Sequence, residues 1–171
     1  MRVGAAIVCG SALVCGSTLV TALIGPVGVA GAQPAQCMSS RGTTMTIIDG
    51  LTACGSETDP TGWALAYGSG GIGYAKADAG ASAVGIGLDG GVGASQGAGG
   101  TPTALGIGPD SVAITSVDGG AFSLAFALAN SQALAADADQ GVVCHGPGAL
   151  AWNAAAGLFC VASPVGTWTY R

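Results

Sequence analysis

The chain has 171 residues, 8% of them charged, with four Lys and Arg against nine Asp and Glu and a formal net charge of −5. This balance argues against nucleic acid and anionic membrane surfaces as partners, because both require clusters of basic side chains. Half of the residues are apolar and mean hydropathy is +0.60, which argues for order, since disorder usually pairs low hydropathy with high charge.

Residues 1–32 carry the pattern of a cleavable export signal. Met1, Arg2 and Val3 form a short basic start, and an apolar stretch runs through Ala22, Leu23 and Ile24. Gly25 and Pro26 end it, because proline has no amide proton and clashes with the preceding turn. Ala30-Gly31-Ala32 is a small-x-small site of the kind signal peptidase accepts. Cleavage is expected after Ala32, leaving Gln33 as the new N-terminus. A transmembrane anchor is disfavoured by the Gly-Pro break, by the cleavage site and by the lack of a basic cluster afterwards. No small residue precedes Cys9, Cys15 or Cys37, so a lipoprotein anchor is not expected, and no later segment is apolar enough to span a membrane. The remaining 139 residues suffice for one domain. Three basic residues (Arg41, Lys76, Arg171) then face nine acidic ones, a net charge of −6.

The expected organisation is a cap at 33–60, a glycine- and alanine-rich repeat region at 61–140 and a second cap at 141–171. Cys37, Cys54, Cys144 and Cys160 remain after cleavage, and an even number in an exported chain suggests two disulfides. Three pairings exist. The local ones, Cys37–Cys54 and Cys144–Cys160, are favoured, each closing a loop worth about 3 kcal/mol in the chain-entropy account. They would staple the two ends, and no C-x-x-C spacing supports zinc.

Between the caps the sequence repeats. Ala64-Leu65-Ala66-Tyr67-Gly68, Ala83-Val84-Gly85-Ile86-Gly87, Ala104-Leu105-Gly106-Ile107-Gly108 and Ser123-Leu124-Ala125-Phe126-Ala127 share one alternating pattern. Their starts lie 19, 21 and 19 residues apart. A weaker beat follows at Val112-Ala113-Ile114 and Ala133-Leu134-Ala135. Alternation within a unit is the period of a strand with one buried face, and recurrence between units is the mark of a solenoid. The expected fold is all-β: a β-solenoid or β-roll of roughly 20-residue repeats with disulfide-stapled ends. Strands from residues 64, 83, 104 and 123 should stack in register, their Leu, Val, Ile, Tyr and Phe pointing inward and their Ala and Gly facing outward or turning corners. Corners are expected at Asp89-Gly90-Gly91, Pro109-Asp110 and Asp118-Gly119-Gly120, where glycine supplies positive φ. Residues 121–140 have helix-compatible composition, but Phe122, Leu124, Phe126 and Leu128 alternate strictly and read as strand. Trp63, Trp152, Trp168 and Tyr170 are expected to close the core near the disulfides.

Thr103 to Ile114 (TALGIGPDSVAI) resembles the head repeats of trimeric autotransporter adhesins, which implies a β-roll with small residues at close-packed positions. The whole chain, by its signal, four cysteines and composition, resembles small cysteine-stapled, Ala/Gly-rich exported proteins of actinobacteria. That resemblance implies a secreted or envelope location and no activity.

Candidate chemistry is sparse. Gly68-x-Gly70-x-x-Gly73 and Gly85-x-Gly87-x-x-Gly90 match a dinucleotide fingerprint but lack the βαβ context it needs. Gly85-Ile86-Gly87-Leu88-Asp89 and Gly106-Ile107-Gly108-Pro109-Asp110 resemble calcium-binding turns, making Asp89 and Asp110 weak calcium candidates. The copies are not consecutive, so both aspartates read first as turn residues. Asp137 and Asp139 read as a solvated edge. His145 follows Cys144, which is expected to be bridged and so unable to act as a thiolate; no G-x-S-x-G elbow supports a hydrolase. The expected function is therefore non-enzymatic, structural or interactive, with no cofactor and an envelope or extracellular partner. A calcium-binding β-roll and a hydrolase using His145 are the alternatives. Alternating small residues on an exposed face would also allow close packing between copies, leaving a homo-oligomer open.

Overall fold

Alternating side chains on a chain without helix-length apolar stripes produce strands, and the computed structural model is built from them. It describes residues 33–171 apart from Asp110 and Ala138; the export signal expected at 1–32 lies outside the described residues. In chain order the strands are β1 (Ala35–Ser40), β2 (Thr44–Asp49), β3 (Thr52–Thr58), β4 (Trp63–Ser69), β5 (Ile72–Asp78), β6 (Ser82–Leu88), β7 (Val92–Ala98) and β8 (Thr101–Ile107). They continue with β9 (Val112–Asp118), β10 (Phe122–Leu128), β11 (Gln132–Ala135), β12 (Val142–His145), β13 (Ala149–Asn153), β14 (Leu158–Ser163) and β15 (Gly166–Tyr170). Among the described residues no helix is long and apolar enough to cross a membrane.

The strands form two sheets. A long sheet of eight runs β1-β4-β6-β8-β10-β13-β14-β15, and a short sheet of seven runs β12-β11-β9-β7-β5-β3-β2. From β3 to β11 the chain crosses from one sheet to the other with every strand, and the neighbours within each sheet are parallel. This is a β-solenoid of about four turns. Its ends switch to antiparallel pairing. β1 folds onto β4 and β2 onto β3, while β12 folds onto β11 and β13, β14 and β15 meander out from β10. Such terminal strands cover edges that would otherwise template further strand addition. Residues 121–140 contain β10 and β11, as the strict alternation indicates.

The facing of the side chains is the reverse of the expectation. Alanine, glycine and serine fill the space between the sheets, and the Leu, Val, Ile, Tyr and Phe of the repeats point outward. Val117 is the largest fully buried side chain among the described residues. The reason is the separation of the sheets. Each disulfide joins one sheet to the other: Cys37 on β1 to Cys54 on β3, with Cα atoms 5.6 Å apart, and Cys144 on β12 to Cys160 on β14, at 5.9 Å. Ordinary stacked sheets lie about 10 Å apart. The pairing agrees with the sequence expectation, and its placement explains the interior.

Both bridges stand on one pair of facing rows. In the long sheet the register runs Cys37, Ala66, Gly85, Ala104, Ala125, Ala151, Cys160. In the short sheet it runs Cys54, Gly73, Gly93, Ala113, Ala133, Cys144. Every residue between the cysteines is alanine or glycine. At the narrowest point not even a methyl fits: a Cβ on Gly85 would overlap the carbonyl oxygen of Tyr74 in the facing sheet.

The repeat register also differs from the sequence alignment. Gly85 pairs with Ala104 and Ile86 with Leu105, so the step from β6 to β8 is 19 residues and the longer step of 21 falls between β8 and β10. A shift of two residues preserves the face of every side chain, so alternation alone could not detect it. Two of the expected corners are in place. Asp89 (φ 49°) and Gly90 (φ 87°) turn the chain between β6 and β7, and Gly119 and Gly120 turn it between β9 and β10, both with positive φ.

Two substitutions separate close approach from turn geometry. Gly85→Ala is expected to destabilise by more than about 3 kcal/mol, because the clash is with backbone that cannot yield. Gly90→Ala, at a positive φ with open space around it, is expected to lose about 1 kcal/mol. Thermal unfolding of the oxidised proteins measures both, and equal losses would contradict the narrow interior.

Candidate functional site

Turning the large side chains outward gives the long sheet an unusual outer surface. One row across it reads Gln36, Tyr67, Ile86, Leu105, Phe126, Leu150, Val161, Trp168. The next reads Met38, Leu65, Val84, Thr103, Leu124, Trp152, Phe159, Tyr170. Neighbours in a row shield each other's flanks, so most central members are half-buried. Phe122 and Trp152 meet edge to face at 5.4 Å between ring centres. The aromatics expected in the core are instead on this surface: Trp63 and Trp152 are exposed, Trp168 is 55% exposed and Tyr170 71%. A closely spaced interior admits no indole, so the rings have only the outside to occupy.

The eight strands of the long sheet contain no Asp, Glu, Lys, Arg or His. Among the strands the Asp, Glu, Lys and His side chains are confined to the short sheet, at Asp49, Glu57, Lys76, Asp78, Asp118 and His145. There Lys76 Nζ lies 3.2 Å from Glu57 Oε1 and 3.8 Å from Asp78 Oδ2. The hydrogen bond to Glu57, followed by the nearby Asp78 charge, raises the lysine pKa. Exposed pairs of this kind contribute little to stability.

Among the described residues the corners carry the remaining acidic groups, Asp59, Asp89, Asp137 and Asp139. Asp59 Oδ1 accepts hydrogen bonds from the Thr61 and Gly62 N–H groups at 2.9 and 2.6 Å, and its Oδ2 accepts from the Ala79 N–H of the next coil at 2.6 Å. At the other end, Asp137 Oδ1 accepts from the Asp118 N–H at 2.8 Å. These carboxylates tie successive corners together. Asp137 and Asp139 lie in a corner beyond β11 and not in a strand. Asp118, Asp137, Asp139 and Asn153 border one open cleft there. Among the described residues no group of three His, Cys, Asp or Glu side chains is arranged to hold a cation.

The sequence candidates are dispersed. Asp89 is exposed at the corner between β6 and β7, its N–H donating to the Ser69 carbonyl at 2.9 Å. Asp110 lies outside the described residues. His145 is exposed on β12 opposite Gln132, while its neighbour Cys144 is bridged inside. The feature missed from the sequence is the apolar face itself. A signal for it was present: in β14, Cys160 and Ala162 share one face while Phe159 and Val161 take the other, so an inward cysteine places the large residues outside.

These features define a disulfide-capped β-solenoid with a closely spaced interior and one charge-free apolar face. The chain belongs to the DUF6764 family, a family of unknown function, whose profile matches residues 1–163. No curated protein and no solved structure matches it.

The Asp59 corner gives a pH prediction. Partial desolvation acts to raise the Asp59 pKa, but the Thr61, Ala79 and Gly62 hydrogen bonds outweigh it and hold the carboxyl below its ordinary value. A carboxylate with a depressed folded pKa stabilises fully above its unfolded pKa of about 3.9, and this stabilisation is lost as pH falls through the folded value. Asp59→Asn is therefore expected to flatten the fall in melting temperature below about pH 4. An unchanged acid limb between wild type and variant would remove Asp59 from the cause.

Proposed function

We propose that the protein acts outside the cytoplasm, secreted or held in the cell envelope, as a non-catalytic structural or interaction module. The observation that carries this reading is the outer face of the long sheet, on which eight strands present apolar side chains and no charge. Contiguous apolar surface of this extent marks an interaction site in a folded protein. The compartment is supported by the two disulfides, which persist in oxidising environments, and by the export pattern of residues 1–32. Both bridges are sequestered between the sheets, which suits a structural role and not a redox one. The non-catalytic reading is supported by the dispersal of Asp89 and His145 and by the bridging of Cys144.

Expression of the full chain in a host with an export pathway tests the compartment. The expected product is found outside the cytoplasm, begins at Gln33 and has four cysteines unreactive to thiol reagents. A cytoplasmic product with free thiols would overturn the reading. His145→Ala is expected to change stability by no more than about 0.5 kcal/mol, as for an exposed residue without a structural partner, and to leave binding through the long sheet unaffected.

A further inference from the structure

We infer that the outer face of the long sheet is the interface of a homodimer, in which two copies pack face to face and bury their apolar rows against each other. The inference deepens the interaction reading above, on which it rests, by naming the occupant of the surface.

Area is the first argument. Eight strands at about 4.8 Å spacing span about 34 Å, and strands of five to seven residues at about 3.3 Å per residue give about 20 Å in the other direction. The projected face is thus about 680 Å², and the protruding side chains make its accessible area larger. A stable interface buries about 800 Å² on each partner, whereas the largest apolar patch of a typical monomer is about 300–600 Å². The face is of the size a dimer requires and exceeds what a lone chain commonly shows to water.

Charge is the second argument. Recognition of a different protein draws on charged and polar groups that select the partner and repel others. This face has none of the former kind. An apolar surface without charge is the composition of homodimer interfaces, the most apolar class, and a two-fold axis brings each copy a matching surface. The location of the acidic groups agrees. Among the described residues they stand on the short sheet and in the corners, so joining long sheet to long sheet leaves the short sheets of both copies, with their charges, on the outside. A membrane surface fits less well, because the chain is acidic and the face has no Lys or Arg to meet anionic headgroups.

The geometry also distinguishes this interface from the interior. Within a copy, alanine and glycine allow backbones to meet. Between copies, Ile86, Leu105 and Phe126 would interdigitate at the usual sheet separation of about 10 Å. In the two central rows the outward residues are mostly large, and the serines (Ser40, Ser69, Ser82, Ser163) lie at the strand ends, so the contact does not rely on close backbone packing.

The test uses the full chain exported by its host, purified with its disulfides intact, and measured by sedimentation equilibrium. The wild type is expected to sediment as a dimer at micromolar concentration. Leu105→Lys, near the centre of the face, is expected to weaken the dimer at least about 100-fold, the effect of a central contact. Leu105→Thr, which repeats the chemistry of Thr103 on the same strand, weakens it less and guards against misfolding of the lysine variant. Ile114→Lys, on the outer face of the short sheet, should leave the dimer unchanged. Circular dichroism and thiol titration confirm the fold of each variant. A wild-type monomer at all concentrations, or a dimer indifferent to both Leu105 variants, overturns the inference. If that monomer binds neutral phosphatidylcholine vesicles through Leu105, the homodimer falls while the interaction reading of the face stands; if it binds neither itself nor vesicles, both fall.

Discussion

The distance between the two sheets governs this protein. Two disulfides hold the sheets at Cα separations under 6 Å at either end, and a row of alanine and glycine maintains a similarly close approach between them. Burial of methyl groups gives only about 0.8 kcal/mol per carbon, so the interior cannot supply the hydrophobic stabilisation of a leucine-rich core. The fold depends instead on continuous backbone ladders in both sheets, on stacked corners and on covalent closure at each end. The same constraint expels the large side chains. A chain of this composition cannot hide its isoleucines and tryptophans internally. Its three tryptophans, Trp63, Trp152 and Trp168, all stand on the sheet that carries no charge, whereas the isoleucines are divided, Ile86 and Ile107 on that sheet and Ile72 and Ile114 on the other.

The corners fit this scheme. Each turn must reverse the chain within a few residues while aligning with the turn of the adjacent coil. Left-handed backbone at Ala79, Asp89 and Asn130 shows that this demand is met even where glycine is absent. Asp59 and Asp137 then bind the corner of an adjacent coil through side-chain oxygens, one near each end of the stack, where the terminal coil has a neighbour on one side only. Asn153 acts similarly at the C-terminal end. It is buried, its Nδ2 donates to the Ala136 carbonyl at 2.6 Å, and its Oδ1 accepts from the Ala156 N–H at 3.1 Å.

Much of this architecture was legible in the sequence. Period-two alternation located the strands, the 20-residue recurrence indicated coils, and cysteine spacing gave the pairing. What alternation could not give was direction. A period of two defines two faces and is silent about which one is inside; the habit of placing large residues inward chose the wrong one. The cysteines contained the answer, since residues two positions from a buried bridge share its face, and around Cys54 and Cys160 those residues include Ser56 and Ala162. Register was ambiguous for a related reason. Val84-Gly85-Ile86-Gly87 resembles Leu105-Gly106-Ile107-Gly108 more than it resembles its true neighbour Thr103-Ala104-Leu105-Gly106, and only the corner lengths, one residue longer before β9 than before β7 and one longer before β10 than before β8, reveal the slip. The apolar face was illegible because it follows from direction and not from any local motif.

The alignment of both disulfides on one pair of rows has a further consequence for how such a chain can change. Neither bridge spans the coils between them; each is closed within its own end. A complete coil of about 20 residues, the recurrence of a solenoid unit, could be inserted or removed between β4 and β10 without altering the geometry of either cap. The caps are thus separate end pieces, and the number of coils between them sets the length. Each added coil would widen the charge-free surface by one strand, so the reach of that surface is set by coil number and is independent of the chemistry that seals the ends.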